Sequence, residues 1–146
     1  GHMDHLGVTN GVVMNGADDN ASGTAVAMEV ARLLAVNKVQ PKRTVVIGLW
    51  CGEEEGHYGS RRFAAAPPDG LSMDRVVAYI NMDMVGRLRE KLIVFGVGTS
   101  SVWAPLLERA DVGFQALDVV LGLLEQGRVR DGRILRAVHR DRLEVL

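Results

Sequence analysis

Apolar side chains recur at the i, i+4, i+7, i+8 spacing of an amphipathic helix within residues 22–36, beginning at Val26. Residues 43–51 instead form a continuous β-branched and apolar run, which is typical of a strand covered on both faces. The same criteria predict strands at residues 76–82 and 91–97 and helices at residues 60–66 and 101–110. This alternation predicts an α/β domain with a largely parallel central sheet.

The pattern weakens after residue 110. Leucines at helical spacing indicate a helix in residues 114–125, and the chain then becomes rich in arginine. We therefore divide the chain into a core of residues 1–110 and a divergent C-terminal segment of residues 111–146. We expect that segment to consist of a helix and a basic tail that is solvated or partly disordered.

Composition excludes several classes of protein. The chain has 146 residues, 47% of them hydrophobic, and a formal net charge of −1. Its length suits one domain with a core of its own. A balanced charge removes the usual argument for a nucleic-acid partner, which rests on a basic face. The apolar runs fall short of the roughly 20 residues that cross a bilayer, so we expect no membrane partner.

Acidic and imidazole groups collect where the predicted strands end, which is the edge at which ligands bind in open α/β sheets. Four segments contribute: His2-Met3-Asp4-His5, Asp18-Asp19-Asn20, Glu53-Glu54-Glu55 and Asp83. Such a cluster repels itself unless a cation lies within it, and these segments carry no matching lysines or arginines. Asp83, which lies within an apolar stretch, also needs a buried partner. Histidine nitrogen with carboxylate oxygen favours zinc.

The order of these motifs resembles that of a known family. The motifs are His2-Met3-Asp4-His5-Leu6-Gly7, Gly16-Ala17-Asp18-Asp19-Asn20-Ala21-Ser22-Gly23, Glu53-Glu54-Glu55-Gly56-His57-Tyr58-Gly59-Ser60 and Asn81-Met82-Asp83-Met84-Val85-Gly86. They resemble, over residues 2–87, the co-catalytic di-zinc aminopeptidases, which are related to glutamate carboxypeptidase, the transferrin receptor and glutaminyl cyclase. The resemblance implies a three-layer α/β sandwich, the zinc-exopeptidase (phosphorylase/hydrolase-like) fold.

The resemblance also implies roles for individual residues. His2, Asp19 and Glu54 would bind one zinc, and Asp19 would bridge it to a second zinc bound by Asp83. Asp4 would lie behind His2 and fix its tautomer. Glu53 would be the general base that takes a proton from a zinc-activated water. His57 stands where the family usually has an apolar residue, so we expect it at the rim of the site.

The chain departs from the family pattern in its second half. No segment matches the family's final zinc-binding histidine, and the surroundings of His139 do not resemble that ligand loop. We therefore expect a truncated or divergent member, in which the fold is incomplete and zinc is bound once or with partial occupancy. The sequence following His2, Asp4-His5-Leu6-Gly7, favours a native ligand over an expression-tag remnant.

The expected activity is metal-dependent hydrolysis of an N-terminal peptide bond, with a peptide that has a free N-terminus as substrate. Two alternatives remain: a catalytically inactive metal-binding or interaction fragment, and a single-zinc glutaminyl cyclase. The resemblance also favours export to the periplasm or the extracellular space.

Overall fold

The computed structural model describes residues 1–87, 92–111, 117–118 and 134–139. Strands and helices alternate along this part of the chain, so the mixed α/β class expected from the sequence is confirmed. In chain order the elements are β1 (Gly7–Thr9), β2 (Val12–Met14), α1 (Gly23–Val36), α2 (Tyr58–Ala65), β3 (Ala78–Asp83), β4 (Leu92–Phe95), α3 (Trp103–Asp111), β5 (Leu117–Asp118) and β6 (Ile134–His139). No described helix is long and apolar enough to cross a membrane.

The helices predicted at residues 22–36, 60–66 and 101–110 form within two residues of their expected ends. The first, α1, begins at Gly23, and Asn20 Oδ1 accepts a hydrogen bond from the Gly23 N–H at 2.9 Å. Gly23 has to be glycine because a Cβ there would collide with the Met82 carbonyl oxygen. The start of α1 therefore lies directly against β3.

The main sheet has four strands in the order β3-β6-β4-β5. Strand β6 is antiparallel to β3 and parallel to β4, and β4 is parallel to β5. The described sheet is therefore mixed, and its two parallel pairings cover only two residue pairs each.

Two expectations for the C-terminal segment are wrong where the structure describes it. Residues Leu117–Asp118, which we expected in a helix, form β5, and Ile134–His139, which we expected in a basic tail, form β6. Both runs gain main-chain hydrogen bonds from β4, and β6 gains more from β3, so pairing outweighs the local signals. The rest of the predicted helix and tail lies outside the described residues.

The strand expected at residues 43–51 is also not formed as predicted. Only Trp50 pairs, in a single parallel bridge with His2, and residues 44–49 have no strand partner within the described chain. An apolar run becomes a strand only where a neighbour supplies hydrogen bonds, and here the neighbour is limited to residues 1–3.

The buried apolar cluster lies between β4 and α3. Val94, Val97, Trp103 and Leu107 are buried together, and the Trp103 indole N–H donates to Thr99 Oγ1 at 3.1 Å. The acidic segments lie away from this cluster, around the start of α1 and the end of β3.

Candidate metal centre

His2 is held by the main chain on both sides. The Trp50 N–H donates to the Gly1 carbonyl at 3.1 Å, and the Met3 N–H donates to the Trp50 carbonyl at 2.9 Å. The His2 side chain is 98% buried, since its exposed fraction is 2%. Its Nδ1 lies 3.0 Å from the Asp4 carbonyl oxygen, which can only accept, so Nδ1 carries the proton. The Nε2 lone pair is therefore free to bind a cation.

Asp4 lies behind His2, but its main-chain carbonyl is nearer to the ring than its carboxylate. Asp4 Oδ1 is 3.6 Å from His2 Nδ1, whereas Oδ2 accepts the Gly52 N–H at 2.7 Å. The side chain thus ties the start of the chain to the turn that carries the glutamates, and the carbonyl fixes the His2 tautomer.

Asp19 lies in the irregular turn Ala17–Ser22, in which Asp19 and Asn20 depart from helical geometry and are joined by a cis peptide bond. The adjacent Asn20 is only 1% exposed. Its amide donates to the Met82 carbonyl at 3.0 Å and accepts from the N–H groups of Gly23 at 2.9 Å and Met84 at 3.3 Å. These bonds attach the turn to the end of β3, so Asp19 and Asp83 are brought together.

Asp83 is the last residue of β3. Its Oδ1 lies 3.6 Å from His2 Nε2 and is buried without a hydrogen-bond partner among the described residues. The pKa of Asp83 is raised to about 6, chiefly by burial and also by the charges of Asp19 and Glu53, against the attraction of His2. The attraction of His2 and of the Gly1 ammonium thus does not offset the burial of this carboxylate and its acidic neighbours.

The two glutamates occupy the turn that follows Trp50, and each contacts a histidine. Glu54 Oε1 accepts from His5 Nδ1 at 2.6 Å, and Glu53 Oε1 lies 3.0 Å from His57 Nδ1. The other Glu53 oxygen, Oε2, lies 3.8 Å from His2 Nε2. The sequence predicted neither of the two contacts of His5 and His57 with the glutamates. The imidazole at position 57, where the resemblance implies an apolar residue, was a usable signal.

The donor atoms have the spacing that zinc requires. His2 Nε2 lies 3.2 Å from Asp19 Oδ1 and 3.6 Å from Asp83 Oδ1. Zinc bonds of about 2.0–2.2 Å in tetrahedral geometry place ligand atoms about 3.3 Å apart. One nitrogen and two carboxylate oxygens, one of which lacks any hydrogen bond, therefore fit zinc.

Two further groups of donors share members with the first. His5, Asp19 and Glu54 come together, with Asp19 Oδ2 4.0 Å from His5 Nδ1, and His2, Glu53 and Glu54 form the other group. The two oxygens of Asp19 thus face different histidines. An open cleft of about 480 Å³ adjoins this side, lined by His5, residues 15–19, Gly86 and Arg87.

The four acidic segments singled out from the sequence therefore meet at one place, and His139 does not. The backbone of His139 pairs with Ala78, whereas Asp83, at the other end of β3, pairs with Ile134. Five residues of strand separate the two positions by roughly 17 Å.

Comparison with known proteins identifies the family to which this arrangement belongs. The model of peptidase family M28 matches residues 1–117, which is most of the chain. The chain belongs to peptidase family M28. This membership confirms the resemblance found in the motifs.

The curated relatives of this M28 chain are much longer than the chain itself. A probable zinc metalloprotease of Pyrenophora teres f. teres (strain 0-1) is 48% identical over 71 residues, which cover 49% of this chain and 14% of that protein. A probable zinc metalloprotease of Leptosphaeria maculans is 44% identical over 71 residues, 49% of this chain and 16% of that protein. Aminopeptidase NAALADL1 of Mus musculus is 37% identical over 75 residues, 49% of this chain and 10% of that protein. No solved structure matches the chain significantly.

Proposed function

We propose that this M28 chain carries the zinc-binding centre of an aminopeptidase that hydrolyses the N-terminal bond of a peptide. One observation supports the proposal most directly. Asp19 Oδ1 and Asp83 Oδ1 lie 3.2 and 3.6 Å from His2 Nε2, and the Asp83 oxygen is buried without a hydrogen bond among the described residues. The family and the printed name of the mouse relative support a peptide with a free N-terminus as the substrate.

The distances favour a division of ligands that differs from the one implied by the sequence. His2, Asp19 and Asp83 would hold one zinc, and Glu54 would join the second oxygen of Asp19 for another, with His5 bonded to Glu54. This arrangement leaves Asp19 as the shared carboxylate. We extend the proposal to the fold as well: in the whole protein these elements would belong to a three-layer α/β sandwich.

Glu53 is suited to the role of general base. One of its oxygens faces the donor cluster, and the residue is only partly exposed. Zinc, when bound, would polarise the scissile carbonyl and lower the pKa of the attacking water toward 7. Glu53 would then hold the proton on Oε2 and pass it to the leaving amine.

The test compares the full chain with its Glu53→Gln variant, which keeps the size of the side chain and removes its basicity. We expect hydrolysis of amino-acid p-nitroanilides in the presence of zinc, and a fall in kcat of at least about a hundredfold in the variant. Mass-spectrometric metal analysis of both proteins should give the same zinc content, because Glu53 lies outside the His2, Asp19 and Asp83 set.

Equal background rates for the two proteins would overturn the peptidase proposal and leave a metal-binding or interaction fragment. Cyclisation of a peptide with N-terminal glutamine, together with one zinc per chain and no anilide hydrolysis, would instead indicate a glutaminyl cyclase.

A further inference from the structure

The backbone of His57 is fixed in a conformation that few side chains adopt. Its φ of 60° and ψ of 34° lie in the left-handed region, which glycine occupies without strain and other residues at a cost of roughly 1–2 kcal/mol. The N–H groups of Gly56 and His57 both donate to the Glu53 carbonyl, at 3.0 and 2.9 Å, and the Arg61 N–H donates to the His57 carbonyl at 2.9 Å. The turn from Glu53 to the start of α2 is therefore closed on itself.

This turn places the His57 imidazole beside the side chain of Glu53. The ring Nδ1 lies 3.0 Å from Glu53 Oε1. Because an ionised carboxylate only accepts, a hydrogen bond across this distance requires the proton on Nδ1. The ring is one-third exposed, whereas Glu53 reaches inward, with Oε2 3.8 Å from His2 Nε2.

The two oxygens of Glu53 consequently have different surroundings. Oε1 is occupied by His57 on the solvent side, and Oε2 faces the donor cluster. With Oε1 anchored, rotation about the last side-chain bond of Glu53 is restricted, and Oε2 remains directed at the place where a substrate would react. A base fixed in this way needs less reorganisation than one on a free side chain.

We propose that His57 is a positioning residue for Glu53: its Nδ1–H holds Oε1 so that Oε2 is directed at the donor cluster. The catalytic consequence rests on the proposed role of Glu53 as general base, but the contact itself does not. The two are therefore tested by different measurements.

The contact is tested by long-range ¹H–¹⁵N correlation spectra of the histidine rings in the metal-free chain. At pH 8.5 we expect the His57 ring to carry its proton on Nδ1. The Glu53→Ala variant should shift this proton to Nε2, the form that free histidine prefers. A wild-type His57 with its proton on Nε2 would overturn the proposal, whatever the peptidase assay shows.

The catalytic consequence is tested with two variants that suit the left-handed backbone. His57→Gly removes the ring without strain, and His57→Asn places an N–H donor on Cγ, where histidine carries Nδ1. We expect kcat to fall about tenfold in His57→Gly with KM within about twofold, and His57→Asn to recover most of the loss. Equal kcat in wild type and His57→Gly, or equal losses in both variants, would contradict positioning.

Failure of the peptidase proposal can be distinguished from failure of the His57 proposal. If the wild-type chain hydrolyses no substrate, the peptidase proposal fails, and the ring spectra still decide whether His57 holds Glu53. Thermal unfolding of the variants serves as the control for folding, and His57→Gly should be as stable as wild type because glycine suits its φ.

Discussion

Two buried regions within the described residues are held together by different interactions. Between β4 and α3 the buried residues are apolar, with Val94 fully buried and Trp103 6% exposed. At the candidate metal centre the most buried residues are polar, namely His2 at 2% and Asn20 at 1% exposed, and hydrogen bonds hold them.

This difference has consequences for stability. The apolar cluster is stabilised by surface removed from water, an interaction that needs no particular partner. The metal centre gathers carboxylates, which costs free energy unless a cation is bound among them. We therefore expect the apolar cluster to set the stability of the chain and the metal centre to set its affinity for zinc, with Asn20 contributing to both.

The largest effect on stability should come from Trp103→Ala. Removing this buried side chain should lower the free energy of unfolding by about 3–5 kcal/mol, because a cavity remains between β4 and α3. Urea unfolding measures the loss, and titration calorimetry of the folded variant should give an unchanged zinc affinity. The neighbouring Val102, which is 58% exposed, provides a control: Val102→Ala should change stability by less than about 0.5 kcal/mol. A tenfold loss of zinc affinity in folded Trp103→Ala would show that the two regions are coupled.

Asn20→Ala should affect both properties. It leaves the Met82 carbonyl and the Gly23 N–H without their partner, which should cost about 1–3 kcal/mol, and it releases Asp19, which should weaken zinc binding about 10- to 100-fold. Asn37 directly follows the last residue of α1 and is exposed, so Asn37→Ala is the matched control. It should alter zinc affinity by less than twofold. The assignment of Asn20 would be wrong if the two variants bound zinc equally well.

The smallest effect should be a dependence of metal-free stability on pH. The pKa of about 6 for folded Asp83 exceeds its ordinary value of 3.8, so the folded state binds this proton more tightly than the unfolded chain does. Its contribution is therefore present near pH 4 and lost as the pH rises through about 6. After allowance for solvent screening we expect a loss of about 1 kcal/mol between these limits. Thermal unfolding in the presence of a chelator measures it, and Asp83→Asn should flatten the profile. An identical profile in both proteins would refute this origin.

Much of the fold followed from local patterns, because α1, α2, β3, β4 and α3 have signals within their own residues. For α1, α2 and α3 these local patterns were sufficient. The errors concern strands, whose formation depends on a neighbour. Residues 43–51 had the composition of a strand but pair only at Trp50, while Ile134–His139 contain β-branched residues and pair on both sides. Composition alone does not reveal which run finds a partner.

The residues of the site were also predictable from local motifs, but their contacts with one another were not. His2, Asp19, Glu53, Glu54 and Asp83 stand in motifs whose order indicated a shared metal centre, and the structure brings their side chains together. The grouping of ligands was not predictable, because it depends on which carboxylate oxygen faces which nitrogen. The contacts of His5 and His57 with the glutamates likewise arise from the turn geometry, in particular the left-handed backbone at His57.

The three hydrogen bonds of the Asn20 side-chain amide influence which metal ion the centre selects. Two of them, with Met82 and Met84, join the turn that carries Asp19 to the end of the strand that carries Asp83, so hydrogen bonds outside the ligands help to set the gap between those carboxylates. A larger ion such as calcium needs longer bonds, of about 2.3–2.6 Å, and more oxygens than this gap provides. Exchange of Asn20 for glutamine, the longer amide, would therefore be a way to change which ion the centre accepts while every ligand stays in place.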